Sequence, residues 1–222
     1  MGKILSTLSE AQLRKIELLK LSGIQDIFKP EVQIVSKDKY LEELRTENEH
    51  CKRCKLAATR KSFVWGQGNT DARVVFIGEG PGEQEDEQGV PFVGKAGQLL
   101  TKMLEAIELS REEVYITNIV KCRPPQNRNP EEDEIQACLP FLLTQLSIIQ
   151  PSIICALGKV AANVLLQNDN SLGSMRQKFY NFRDSKLMVT YHPSALLRNS
   201  QWKRPAWEDL KMLKRELQKN VR

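Results

Sequence analysis

Four short apolar runs, each followed by a stretch with helical spacing, constrain this chain more than any other feature. The runs are Val74-Val75-Phe76-Ile77, Val114-Tyr115-Ile116-Thr117, Ile153-Ile154-Cys155-Ala156 and Leu187-Met188-Val189-Thr190. Helical patterns occupy about 96–108, 130–149, 159–167 and 206–217 between and after them. Continuously apolar strands that alternate with helices indicate crossover units and a mostly parallel sheet covered on both faces, so the fold class is α/β. Ligands of such sheets bind at the carboxyl ends of the strands. Upstream, Ser9 and Gln12 form a capping-box pattern before Leu13, Ile16 and Leu19, which predicts a helix to about Gly23. Lys29-Pro30 breaks it, and a second helix is expected over 37–50. The chain thus divides into an N-terminal helical extension, 1–36, and one domain, 37–222.

With 222 residues, 41% apolar and 27% charged, the chain is long enough to bury one core and carry one appendage. No apolar run approaches the ~18 residues a membrane span needs, and the start lacks the order of a secretory signal, which points to the cytoplasm and to no membrane partner. Met1-Gly2-Lys3-Ile4-Leu5-Ser6 matches a myristoylation pattern, but one so short that chance explains it. The net charge of +5 is modest, so its placement matters more than its size. Lys52, Arg53, Lys55, Arg60 and Lys61 stand together without an acid, and the tail from Arg198 is again basic. Charge runs alone read as solvated faces; the motifs beside them turn the reading toward a phosphate-tracking surface.

Five cysteines in a reducing compartment read as metal ligands or core residues rather than as disulfides. Cys51 and Cys54 have the short spacing that lets two sulfurs share one centre, and Cys122 and Cys138 can complete a set of four. Zinc and [4Fe-4S] both remain open on spacing alone. Cys155 lies within a strand and is a core residue. His50 is read as an exposed helix end.

Each remaining motif begins where a strand is expected to end. Gly78-Glu79-Gly80-Pro81-Gly82 opens an acidic segment with Glu83, Glu85, Asp86 and Glu87, and crowded carboxylates suit a residue meant to hold or take a proton. The turn lacks both the phosphate-loop ending and the dinucleotide spacing. Phe92 can stack on a planar base, Asn118 offers a donor and an acceptor to a base edge, and His192 ends the fourth strand before Pro193 and Ser194.

Together these residues resemble a family 4 uracil-DNA glycosylase, the iron-sulfur branch of its superfamily, over about Cys51 to Arg198. The resemblance rests on Cys51-x2-Cys54, the 78–83 turn, Gly89-Val90-Pro91-Phe92-Val93-Gly94-Lys95-Ala96-Gly97, Thr117-Asn118-Ile119-Val120-Lys121-Cys122-Arg123-Pro124-Pro125, Cys138 and His192-Pro193-Ser194. It implies a three-layer α/β/α sandwich around a short, mostly parallel sheet, and a [4Fe-4S] cluster on Cys51, Cys54, Cys122 and Cys138. It also implies that Glu79 positions or deprotonates the attacking water, with Gly80 in the same substrate-binding turn. Glu85 would crowd the uracil C5, Phe92 would stack on the base, Asn118 would read its edge, and His192 would stabilise the leaving anion. Ser194 and Arg198 would grip phosphates, while Leu196 or Leu197 fills the hole left in the DNA helix.

The expected activity is a monofunctional uracil-DNA glycosylase of base excision repair, extruding uracil from single- or double-stranded DNA and hydrolysing its glycosidic bond without strand cleavage. Gln126-Asn127-Arg128-Asn129-Pro130 has no histidine, so turnover is expected rather than covalent attachment to DNA. A monomer with nucleoid-associated activity is expected, its N-terminal extension available to a repair or replication partner. The competing readings are a non-catalytic cluster-containing DNA-damage binder, a glycosylase for another deaminated base, and a zinc-stapled redox protein.

Overall fold

A computed structural model describes residues 36–219, so the helix expected from Ser9, the lipidation pattern and the rest of the extension up to residue 35 lie outside the described residues. A six-stranded sheet forms the centre, with strands β1 (Gln67–Gly68), β2 (Val74–Gly78), β3 (Tyr115–Asn118), β4 (Ile153–Leu157), β5 (Phe179–Phe182) and β6 (Ser185–Thr190) in the order β1-β3-β2-β4-β6-β5. The four inner strands are parallel and are the four expected ones, with every boundary within two residues of the expected one. The two edge strands pair antiparallel and were not expected.

Side chains alternate across the pleat, which gives every inner strand two buried faces. Val75, Ile77, Ile154, Ala156, Leu187 and Val189 enter one core. Helices α1 (Lys37–Asn48), α4 (Glu132–Ile149), α5 (Lys159–Leu166) and the short α6 (Leu172–Met175) cover it through Leu41, Leu142, Ala161 and Met175. Val74, Phe76, Ile153, Cys155, Leu157 and Met188 enter the other. There α3 (Lys95–Glu105), α7 (Pro193–Arg198) and α8 (Lys203–Lys219) supply Leu100, Leu104, Leu196, Leu210 and Leu213. The result is the expected three-layer sandwich. Each fully buried Val, Leu or Ile contributes roughly 1.5–3 kcal/mol, so the two cores hold the parallel sheet together. Cys155 is fully buried in the second core, as its place in a strand suggested.

The acidic segment after β2 is a helix, α2 (Glu83–Gln88). Its N-cap is Gly82, and Glu83, Glu85 and Asp86 fall in the first turn, where unpaired amides favour negative charge. Histidine 192 caps α7, and Pro193 takes the first helical position, where no amide donor is required. Among the described residues no helix is long and apolar enough to cross a membrane.

Candidate active site

The carboxyl ends of the inner strands release Glu79, Asn118, Gly158 and His192 into one crevice of about 520 Å³. Gly80, Glu85, Phe92, Ser194 and Arg198 also line it, so eight of the ten catalytic, base-binding and DNA-binding candidates converge. Leu196 and Leu197 do not line it. Leu196 is 2% exposed and packs in the core beneath α7, which corrects its expected role at the DNA; Leu197 is 50% exposed and points the other way. Adjacent leucines on a helix face about 100° apart, and on this short helix that turn carries Leu197 out of the core.

The floor of the crevice depends on missing atoms. A Cβ on Gly78 would stand 2.4 Å from Asn118 Oδ1 and 2.6 Å from Phe92 Cζ, so only glycine lets both side chains approach the end of β2. Phe92 is 5% exposed and adopts φ +54°, a left-handed conformation that strains a non-glycine residue. Two contacts hold it there. Gly97 lies so close that a Cβ would meet the Phe92 carbonyl oxygen at 1.8 Å, and Arg111 donates to the carbonyls of Phe92 and Pro91 at 3.1 and 3.0 Å. The Phe92 ring comes to rest 5.5 Å from the His192 ring.

Asn118 is 1% exposed, and its Oδ1 has no hydrogen-bond partner. A buried orphan acceptor costs about 1–3 kcal/mol, and one facing a ligand crevice is the signature of an atom kept for a donor that arrives with substrate. Glu79 is half-buried, and its carboxyl is raised above the usual carboxylate range. Burial is the cause, not the neighbouring acids, because those are otherwise engaged. Glu85 accepts from the Gly82, Val93 and Gly94 amides at 3.1, 2.9 and 2.8 Å. Asp86, 2% exposed, accepts from the Lys61 and Ser62 amides. Glu87 pairs with Lys61 and Glu83 with Arg123. The acidic cluster therefore ties loops together and leaves Glu79 as the free carboxyl of the crevice.

His192 Nδ1 accepts the Ser194 amide at 3.2 Å, and a backbone N–H can only donate. The neutral ring therefore carries its proton on Nε2. Burial, with the charge of Arg198 adding to it, pushes the imidazole down to about 4, so it is neutral at pH 7. Ser194 Oγ lies 2.8 Å from the same Nδ1 and reinforces that tautomer. For Ser194 to donate to a phosphate, its hydroxyl would have to leave the histidine.

Cys51, Cys54, Cys122 and Cys138 line one small cavity with Arg53, Arg60, Phe63 and Phe141. All four are free thiols. The Arg53 amide reaches Cys51 Sγ at 3.5 Å, the Arg60 guanidinium reaches Cys122 at 3.0 Å, and the Lys121 amide reaches Cys138 at 3.2 Å. Among the described residues no three His, Cys, Asp or Glu side chains are arranged around a single metal ion. His50 is 91% exposed and pairs with Glu49, outside this cavity.

Sequence reasoning passed over Arg111, Arg128 and Lys121. Arg128 lines the crevice and is held by buried Glu134 at 2.7 and 2.8 Å. Lys121, fully buried, donates to Thr117 Oγ1, the Asn118 carbonyl and Gln145 Oε1 at 2.6, 2.9 and 2.6 Å. A lysine between Val120 and Cys122 in an apolar run was the one available signal that a buried charge needed partners.

The family model described as the uracil DNA glycosylase superfamily matches residues 65–211. A type-4 uracil-DNA glycosylase of Saccharolobus solfataricus is 47% identical over 186 residues, covering 80% of this chain and 86% of the relative. One from Thermotoga maritima is 44% identical over 173 residues, covering 76% and 90%. A type-5 uracil-DNA glycosylase of Pyrobaculum aerophilum is 30% identical over 183 residues, covering 66% and 79%.

Proposed function

This chain belongs to the uracil-DNA glycosylase superfamily, in its type-4 branch, and from that premise we propose how its crevice recognises uracil and releases it from DNA. The enzyme is a hydrolytic DNA N-glycosylase whose substrate is uracil-containing DNA. The observation that carries the reading is the orphan Oδ1 of Asn118. Uracil presents N3–H beside the acceptor O4; an amide complements that pair with Oδ1 accepting and Nδ2 donating. Cytosine presents an acceptor beside an amino donor, which would leave the same amide opposed donor to donor and acceptor to acceptor. A site built around buried polar groups rejects such a mismatch strongly.

Extrusion of the nucleotide costs a few kcal/mol, which stacking on the Phe92 ring offsets. Leu197, exposed on α7, fills the vacated space, and Arg198 meets a flanking phosphate. Glu85 crowds C5 and excludes the methyl group of thymine, its carboxylate fixed in the crevice by the Gly82, Val93 and Gly94 amides. As the glycosidic bond lengthens, positive charge grows on the sugar and negative charge on the base. Glu79 orients the attacking water and favours the cationic sugar. His192 donates through Nε2–H to the departing uracil oxygen, and because the ring is already neutral this needs no change of protonation. No covalent intermediate is required.

The residues around the cysteine cavity fit a [4Fe-4S] cluster. Four thiols face one space, and three receive N–H donors of the kind that tune cluster sulfurs. Bound there, the cluster supplies a staple between the segment after α1, the loop after β3 and α4, with its four positions taken by protein.

The test is base release from an oligonucleotide carrying one deoxyuridine, with thymine, cytosine and Glu79→Gln protein as controls. Alkali-sensitive abasic sites with uracil alone, absent with the variant, support the assignment. Folded, brown protein that produces none overturns it.

A further inference from the structure

The segment that joins α7 to α8 carries an aromatic assembly that base release leaves unused. Trp202 closes a 3₁₀ turn, Ser200–Trp202, immediately before α8, and is 36% exposed. Its indole stacks on Tyr191 with centroids 5.2 Å apart and planes 19° from parallel. Tyr191 is itself fixed: the Arg176 guanidinium lies 4.2 Å from its ring centroid and donates to its hydroxyl at 3.1 Å. Arg176 in turn donates to Asp209 and to the Pro205 carbonyl, both at 2.7 Å, and its side chain is 8% exposed. A buried cation thus orders a tyrosine, and the tyrosine orders an indole at the surface.

The surroundings suit a polyanion. From Tyr191 to Trp207 the chain has no acidic residue and carries Arg198, Lys203 and Arg204, all exposed. Leu197, at 50% exposure, stands on the same short stretch, and Tyr191 directly precedes His192. Exposed aromatic rings among cations are how proteins hold unpaired bases, since every base has a face to stack and a phosphate to neutralise. An indole already stacked on one partner also loses little side-chain freedom on binding.

We propose that Trp202 is a stacking platform for an unpaired base of the uracil-bearing strand, close to the extruded nucleotide, so that this surface holds single-stranded DNA more tightly than duplex. The strand assignment rests on the glycosylase reading; the stacking does not. The test uses the full chain and uracil-free oligonucleotides. Single-stranded DNA quenches tryptophan emission of the wild-type protein, and Trp202→Ala weakens single-strand binding roughly five- to 150-fold, the size of one lost base–aromatic stack. Trp202→Phe restores most of the affinity, and Trp207→Ala, removing an indole of similar exposure at 39%, leaves it unchanged. On single-stranded uracil substrate the loss falls on KM rather than kcat. Unquenched wild-type emission at saturating DNA, unchanged affinity in folded Trp202→Ala, or an equal loss on duplex and single strand would each overturn the proposal. Absence of uracil release by the wild-type protein would instead overturn the glycosylase reading and leave these binding results standing.

Discussion

Asn118 ends β3 and Lys121 follows three residues later, and both are buried, yet the amide keeps an oxygen without a partner while the lysine nitrogen has three acceptors within reach. The contrast extends to their surroundings. On the cysteine side, Gln145 also donates to the Trp65 carbonyl at 2.9 Å, and Thr117 donates to the same oxygen at 2.9 Å, so Thr117, Lys121 and Gln145 satisfy one another, and only the Trp65 indole N–H beside them has no partner. On the crevice side, Asn118 has its orphan oxygen and Glu79 has a carboxyl that burial holds above its usual range. A saturated network makes a scaffold; an unsatisfied acceptor in the wall of a crevice marks where the fold gives up stability to meet a ligand.

Glu79→Gln gives the largest expected break between the two regions. Base release falls by about 10²–10⁴, the usual contribution of a positioned acid or base, in single-turnover assays. Stability at pH 7 moves the other way: a carboxyl whose folded pKa lies above its unfolded value costs stability once ionised, so its removal raises the urea midpoint. Lys121→Met strands three acceptors on the saturated side and lowers stability by about 2–3 kcal/mol in urea denaturation. A variant as stable as wild type would show that the network is not part of the scaffold. Asn118→Leu keeps the volume and removes the orphan, so stability holds or rises by about 1 kcal/mol while preference for uracil over cytosine disappears. The smallest effect is in the pH profile of kcat/KM, which reports the groups of the free enzyme. Glu79, with its raised pKa, sets an acid limb above pH 4.5, and there is no step near 6.5 because His192 stays neutral down to about 4. Glu79→Gln removes the limb; a step near 6.5 that His192→Gln abolishes would show a charged imidazole instead.

The inner strands were legible because burial on both faces leaves them no polar positions to blur the pattern. β1, two exposed residues, and β5, half-buried, carry no comparable signal, since pairing across an edge rather than burial creates them. α2 was hidden by its own carboxylates, which look like a solvated loop until the amides they accept from are known. The crevice residues were visible as motifs at strand ends, and sequence order could not say which of two adjacent leucines turns inward. Nor could it show that Ser194 spends its hydroxyl on His192, because that bond follows from the cap geometry of α7.

The order β3-β2-β4-β6 has a consequence in time. β4 docks beside β2 across a gap in which β3 and α4 have already been made, and β6 completes the row only near the end of synthesis. Glu79 leaves the ribosome early and His192 late, so a nascent chain that ends between them holds only one half of the site. Base removal therefore waits on β6, the last of the parallel strands to be made, because only its end brings His192 to the crevice that Glu79 and Asn118 already line.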